Sequence, residues 1–587
     1  MSYQSPRRDL QFVLFELLEV PSVLATFGEG EILDESTLQQ VIDAAAAFAS
    51  DVVQPLNRVA DREGCALERG QVTTPRGFVQ AYDEFRAQGW PSLCGEEGHG
   101  GQGLPQVAFS VLQEHLGAAC HAFSMLAGIN HCAWECVRHA ASPELVAEWL
   151  PRLLDGSVLS TMSMTEPQAG SDLGLARTKA QPTADGSFAV TGGKVFVSGG
   201  DHDLTANIVH LVLARLPDAP SGSGGLSLFL VPKRLADGSS NHVYCDGIEH
   251  KLGLHGNPTC VLRFESSRGS LVGEPHRGLA ALFFMMNAAR LLCGLQAIGL
   301  SEAAYQQALS YAADRKQGRL PGATPDDAPV SIARHPDVQR MLMVQKAYVE
   351  GGRALVHWAA LEVDRSQRHG DPDIRSEARE LLGLLTPIIK GFLCENAQAC
   401  VSLALQIHGG HGYVSETGID QYVRDSRVLT IYEGTTSIQA IDLVVRKIQR
   451  RPAETIDRLL SLIDAAVGEG SRGPTNDVLD ELVGRLRSLR QTVRETLMLI
   501  CDRGRNDGDF PLRAASNTLR ILGHAVLASM WVRMAATATR GLIKGNDPFY
   551  RSKLLTATFY FQHLLPEVDH LVQTVRGDHG PLDAAFT

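Results

Sequence analysis

The sequence predicts a mainly α-helical protein with one β region in its middle and an additional helical segment at its C-terminal end. Three observations carry this. Apolar residues recur at helical spacing over most of residues 38–153 and again over 278–450. Between them, residues 158–265 alternate or form short apolar runs bounded by Pro, Gly and Asp. Beyond Pro452 helical stripes resume. A chain of 587 residues is too long for one core, and these shifts divide it into 1–157, 158–270, 271–452 and 453–587.

The first helical stripe is Leu38, Val41, Ile42, Ala45 and Phe48. Gly- and Pro-rich punctuation interrupts at Gly95–Pro105. In the β region, Ser187-Phe-Ala-Val-Thr and Lys194-Val-Phe-Val-Ser each alternate, and Ile208–Leu213 and Leu226–Val231 are buried-strand candidates. A polar loop is expected near Gly318–Pro329 and a hinge at Gly468–Pro474. In the last segment Leu479, Leu482, Val483, Leu486 and Leu489 form one stripe, and Leu519, Leu522, Val526 and Met530 another. Such stripes need a partner surface, so this segment reads as a packed helical domain.

Composition removes several function classes. There are 54 Lys+Arg against 66 Asp+Glu, a net charge of −12, which disfavours general nucleic-acid affinity. Eleven Cys are an odd and dilute set, reading as reduced thiols in a cytoplasmic protein. No segment reads as long and apolar enough to span a bilayer, since the best candidate, Gly278 to Ser301, is cut by Arg290. Asp9 and Glu16 fall where a signal peptide needs its apolar core, so export is not expected.

Two look-alike motifs are set aside. Gly98-His-Gly-Gly-Gln-Gly103 has the dinucleotide-loop spelling, but Cys94-Gly-Glu-Glu precedes it where a strand is required, and Pro105 follows closely. His131-Cys-Ala-Trp-Glu-Cys136 with His139 spreads its ligands around a helix, so no metal is expected.

Chemistry gathers in three segments. Thr165-Glu-Pro-Gln-Ala-Gly-Ser-Asp172 is a turn whose N–H groups and hydroxyls suit a polar ring or phosphate. Gln406-Ile-His-Gly-Gly-His-Gly412 permits close approach of a ligand. Arg424-Asp425 precedes Ile431-Tyr-Glu-Gly-Thr435. There Glu433 follows an apolar run beside Gly434, where a raised pKa would suit a general base. The alternative is an exposed Glu at a helix N-terminus, stabilised by the dipole.

With Lys194-Val-Phe-Val-Ser and Arg315-Lys316, these make six motifs in one order over residues 38–450 that resemble the acyl-CoA dehydrogenase family. Gly199-Gly-Asp-His-Asp-Leu, Met285-Met-Asn-Ala-Ala-Arg290 and the chain length resemble its enlarged bacterial branch. The resemblance implies an N-terminal helical domain, a β-barrel-like middle domain, a four-helix C-terminal bundle, and FAD held between them. It implies Glu433 as the base that takes the α-proton of an acyl-CoA thioester, hydride transfer to FAD, and a trans-2-enoyl-CoA product. Met164, Thr165, Phe196 and Ser198 would flank the flavin ring, with Ser198 where Thr is usual. Gly170 and Ser171 would lie near flavin or pantetheine, and Thr435 would touch FAD. Arg315, Gln406, Gly409 and Gly410 would reach the FAD of a neighbouring subunit, implying a homodimer. Ser171, Asn287, Arg290, Tyr432 and Gly434 would meet the substrate.

This chain departs from the family pattern at Gln317-Gly-Arg319, where Phe-Gly is common after the Arg-Lys pair. Some branches carry the base on the helix holding Arg290, but the matching residue here is Ala289, which cannot accept a proton. The expected acyl group is medium to long, because Leu282, Phe283, Phe284, Met285 and Met286 suit an alkyl chain and each buried CH₂ is worth about 0.8 kcal/mol. 3-(Methylthio)propionyl-CoA is the alternative substrate. Electron-transferring flavoprotein is the expected acceptor, and O₂, as in an oxidase, the rival one. A DNA-binding flavoprotein is a rival of another class. Residues 451–587 hold 17 Lys/Arg and 16 Asp/Glu without a basic run, which argues against it.

Overall fold

The computed structural model describes residues 3–27, 33–472, 476–577 and 585. The chain packs as two compact units, one of residues 40–292 and one of residues 3–39 with 293–587.

The 40–292 unit joins a helical part to a sheet. The stripe on the helix Glu35–Ala47 is buried as expected. The helix Gln106–Ala119 is buried along its whole length, and His121–Ala140 over most of it. Phe48, Phe78, Phe85 and Phe123 meet edge-on or tilted, with ring centroids 5.8–6.5 Å apart. The Gly95–Pro105 segment is a loop with no strand before it, although a helix does follow. Gly101 is sterically required there, since a β-carbon on it would sit 2.0 Å from the Gly95 carbonyl. His131 stacks on Phe109 at 3.6 Å and bonds Gln106, so it is a core histidine. No metal-binding cluster occurs among the described residues.

A small hairpin, β1 (Ala66–Glu68) and β2 (Gln71–Thr73), precedes a seven-stranded sheet. The sheet comprises β3 (Val158–Ser163), β4 (Lys179–Pro182), β5 (Phe188–Ser198), β6 (Asn207–Arg215), β7 (Leu226–Pro232), β8 (Val243–Ile248) and β9 (Thr259–Val272). Long β9 pairs β5 on one edge, and β8 then β7 on the other. β7 pairs β6 antiparallel, and β4 links β5 back to β6 through Lys179 and Arg215. The pairing therefore closes on itself, with β3 added parallel to β6. Val190, Val212, Phe229, Val231, Leu262 and Phe264 fill the interior. The two alternating stretches expected at 187 and 194 are one strand, β5, interrupted by register shifts at Val190/Gly192 and Lys194/Val197. Strict alternation fails there, because Lys194 is fully buried while Phe196 is exposed.

The other unit is helical. It contains Pro336–Arg368, Pro372–Ile388, Cys394–His408, Ile419–Ser426 and Thr436–Ile441, then Pro452–Ser471, Asp477–Gly504, Phe510–Lys544, Pro548–Phe559 and Glu567–Arg576. The last five form the additional segment, and both of its stripes are buried. Missing β-carbons let it approach the bundle: Gly351 faces Trp531, Gly391 faces Leu519, and Gly523 faces Phe392. Of the hinge expected at Gly468–Pro474, Gly468–Ser471 instead complete a helix, and residues 473–475 lie outside the described set.

Asp9 and Glu16, the acids that argued against a signal peptide, are anchors. Buried Asp9 meets Arg353 and Lys553, which also bond Glu302 at 2.7 Å and Glu350 at 2.8 Å. Glu16 accepts from Arg8 and Tyr550, each at 2.6 Å.

One expectation fails outright. Among the described residues, three helices are long and apolar enough to cross a membrane: Gly278–Asp314, Pro372–Tyr413 and Phe510–Lys544, with mean hydropathy of 1.6, 1.2 and 1.3. Arg290 does not lower the first below that level. Their apolar windows are 56%, 67% and 94% buried within the protein, so core packing accounts for most of that character.

Candidate active site

Within the 40–292 unit, the Thr165 turn is pinned to β5. Val195 N–H donates to the Thr165 carbonyl at 2.9 Å, and Lys194 Nζ donates to the Met164 carbonyl at 3.0 Å and to Glu166 Oε1 at 2.8 Å. Glu166 also accepts from the Arg177 and Thr178 amides, the Thr178 hydroxyl and Gln168. Burial alone would raise its pKa, but the Lys194 charge and these donors together hold it down at about 2. The carboxylate is thus a fixed structural anion.

Just beyond Lys194 the register shift turns Phe196 outward, 63% exposed, with φ of +58°. A bulky residue in the left-handed region is strained, and such strain clusters at ligand sites. Met164, Thr165 and Ser198 nearby are half-buried, while Gly170 and Ser171 are exposed. A β-carbon on Gly170 would meet nothing within 4 Å. An exposed aromatic face beside half-buried hydroxyls and an open glycine turn fits a flat, polar-edged ring such as a flavin. Further along this unit, Leu282 and Met285 are core, Phe283 and Phe284 are 43% and 45% exposed, Asn287 is exposed, and Arg290 and Ala289 are buried.

In the other unit, Glu433 (φ +54°) and Gly434 (φ +85°) form a left-handed pair just ahead of the helix Thr436–Ile441. Glu433 is half-buried with Oε2 shielded from solvent, so the exposed helix-terminus alternative does not describe it. Gly434 suits this turn by its φ, and a β-carbon there would crowd Gln439 Nε2 at 2.9 Å. That amide donates to the Glu433 carbonyl at 2.8 Å, and buried Lys390 donates to the Gly434 carbonyl at 2.5 Å. Tyr432 donates to buried Gln296 at 2.7 Å, and Thr435 caps the helix by accepting from the Ile438 amide.

A second cluster of the same unit is fully on the surface: Arg315, Gln406, Gly409 and Gly410 are all exposed, beside Tyr413 at 91%. Tyr311 joins the Arg315 loop to this turn, stacking on His408 at 4.4 Å and bonding His411 at 3.0 Å. The Gln317 amide pairs with the Val330 carbonyl, so the unusual Gln317-Gly-Arg319 sequence forms a small paired loop.

Sequence reasoning assigned no role to Lys390, Gln439 or Gln296. A lone lysine inside the apolar run Pro387-Ile-Ile-Lys-Gly-Phe-Leu393 was the available signal for the first.

A helical domain, a closed β domain and a helical bundle, carrying an outward aromatic bulge and a left-handed Glu-Gly turn, define a flavin-dependent oxidoreductase of acyl thioesters. The chain belongs to the acyl-CoA dehydrogenase family. The family's N-terminal, middle and C-terminal domains match residues 35–157, 161–267 and 276–448, and an acetyl-CoA dehydrogenase C-terminal-like domain matches 454–583. It is 39% identical to 3-methylmercaptopropionyl-CoA dehydrogenase of Ruegeria pomeroyi, over 98% of this chain and 99% of that one. It is 33% identical to the broad-specificity linear acyl-CoA dehydrogenase FadE5 of Mycobacterium tuberculosis, over 99% of each. Among solved structures, Caenorhabditis elegans ACDH-11 in complex with C11-CoA shares the fold at 21% identity, with a TM-score of 0.80 over 100% of this chain and 96% of that one. A Bacillus anthracis acyl-CoA dehydrogenase complexed with FAD does so at 19%, with 0.76 over 98% and 93%. The protein is an acyl-CoA dehydrogenase with FAD as cofactor.

Proposed function

We propose that this enzyme oxidises a short, unbranched acyl-CoA at its α,β bond, with 3-(methylthio)propionyl-CoA as its best substrate. The 39% identity to the Ruegeria enzyme over nearly the whole of both chains carries this reading. It reverses the order expected from sequence. That expectation rested on Leu282–Met286 as an alkyl-lining run, yet Leu282 and Met285 are fully buried core residues. Exposed Phe283 and Phe284, and the 33% identity to FadE5, favour linear fatty acyl-CoA as the second reading.

In this reading Glu433 takes the substrate α-proton, and its backbone N–H donates to the thioester oxygen as charge develops there. Bound FAD supplies the hydride acceptor at the β-carbon. Met164, Thr165, Phe196 and Ser198 flank its ring, Gly170 and Ser171 lie by its edge or the pantetheine, and Thr435 meets it as well. Tyr432, Gly434, Asn287 and Arg290 face the acyl-CoA. Exposed Arg315, Gln406, Gly409 and Gly410 serve the FAD of a second copy in a homodimer. Electron-transferring flavoprotein takes the electrons. Eleven free thiols, ten of them buried, are consistent with a cytoplasmic site.

The test is kcat/KM across straight-chain acyl-CoAs from butanoyl to hexadecanoyl, with 3-(methylthio)propionyl-CoA beside its isostere pentanoyl-CoA. A peak at the methylthio substrate and a steep fall by octanoyl are expected. An open apolar tunnel would instead reward each added CH₂ by about fourfold. Such a rise would establish the fatty acyl reading.

A further inference from the structure

Two consecutive left-handed residues, Glu433 and Gly434, leave two carbonyls to be satisfied inside the protein. Each is met by a donor with no exposed surface: Gln439 Nε2 reaches the Glu433 carbonyl at 2.8 Å, and Lys390 Nζ reaches the Gly434 carbonyl at 2.5 Å. A fully buried lysine is rare, because stripping water from an ammonium is costly. Here the ammonium reaches a backbone carbonyl one residue from the base.

Local helix geometry is adapted to bring it there. Pro387 lies in the last turn of the helix Pro372–Ile388, and Ile389–Leu393 follow as one wide π-helical turn that carries Lys390. Such turns are frequent at functional sites. This one has no slack, since a β-carbon on Gly294 would meet Ile389 at 2.4 Å, and one on Gly391 would meet Leu519 at 2.9 Å. A lysine needed only for packing could be replaced by leucine without the cost of burying charge.

We propose that Lys390 is a positioning residue for the reaction: it holds the Gly434 carbonyl, and so locks the turn that aims the Glu433 carboxylate and N–H at the thioester. The proposal rests on the reading of Glu433 as the base. Gln439 completes the lock from the other carbonyl.

The experiment uses full-length, FAD-loaded K390M, E433Q and the double variant, mixed anaerobically with butanoyl-CoA and 3-(methylthio)propionyl-CoA while flavin bleaching is followed. For K390M the limiting reduction rate should fall roughly 10- to 100-fold, while acyl-CoA affinity changes by less than about threefold. Adding K390M to E433Q should cost less than about threefold more, since the group being aimed is gone. A K390M rate like wild type, with E433Q slow, overturns the proposal and leaves Glu433 as base. An E433Q rate like wild type overturns the Glu433 reading and this proposal together. If K390M cannot be purified with FAD, Q439M decides by the same measurements. An unchanged rate there overturns the lock.

Discussion

Phe196 and Glu433 share a backbone property that L side chains rarely adopt, with φ of +58° and +54°. Each is held there by its neighbours: Phe196 by the register shift in β5, and Glu433 by the donors Gln439 and Lys390. Motif spelling alone does not reveal such strain, because Lys194-Val-Phe-Val-Ser reads as an ordinary alternating strand. The tertiary pairing with β9 breaks the alternation and sends the aromatic ring outward. In the proposed role of Phe196 beside FAD, this strain should trade stability against function. Phe196→Gly is expected to stabilise the apoprotein by about 1 kcal/mol by removing the left-handed penalty. The same variant should retain less FAD through desalting. Thermal melts of the apoprotein and flavin absorbance after gel filtration check both halves of this expectation.

At the scale of an element, the Thr165 turn owes its shape to the Glu166–Lys194 pair, whose side chains are 4% and 0% exposed. Removing one member of such a pair strands the other's charge, so Lys194→Met is expected to destabilise by about 3–5 kcal/mol in urea unfolding. The pH dependence has a definite sign. The folded pKa of Glu166, about 2, lies below its ordinary 4.5. Its stabilising contribution is therefore complete above the ordinary value and fades as pH falls from about 4.5 to about 2. In Lys194→Met the folded pKa of Glu166 should rise back toward its ordinary value, so this pH-dependent contribution should shrink. Unfolding midpoints between pH 7 and pH 3 measure it. The sequence marks Glu166 and Lys194 as members of separate motifs, 28 positions apart, and only the fold joins them.

At the scale of the molecule, residues 452–576 are a working part of the helical core. Trp531, Tyr560 and Phe561 are at most 1% exposed, and Leu519 and Trp531 fill notches left by Gly391 and Gly351. The N-terminal helix is tied to the same region through Asp9, Arg353 and Lys553. Burial would raise the Asp9 pKa, but the two cations together hold it well below the carboxylate range. A protein ending at Arg451 would expose those notches and leave Asp9 without Lys553. It is expected to be insoluble, or to melt well below the full chain, as differential scanning calorimetry and gel filtration would show. A soluble truncated protein with unchanged melting temperature and oligomeric state would contradict this account.

What could be read from the linear chain was periodic or contiguous. The stripe at Leu38–Phe48, the stripes after Pro452, the strand-rich middle and the compact motifs around Thr165, Gln406 and Glu433 all survive as buried faces or turns. Periodicity reports which face of an element is apolar, and that face must be buried whatever it packs against. Tertiary structure decided everything that depends on a partner distant in sequence. It set the outward turn of Phe196, the burial of Lys194 and Lys390, the core location of Leu282 and Met285, and the enclosure of helices whose hydropathy alone would suit a membrane. A buried charge or a broken register is stable only against a particular neighbour, and the identity of that neighbour is set by the fold.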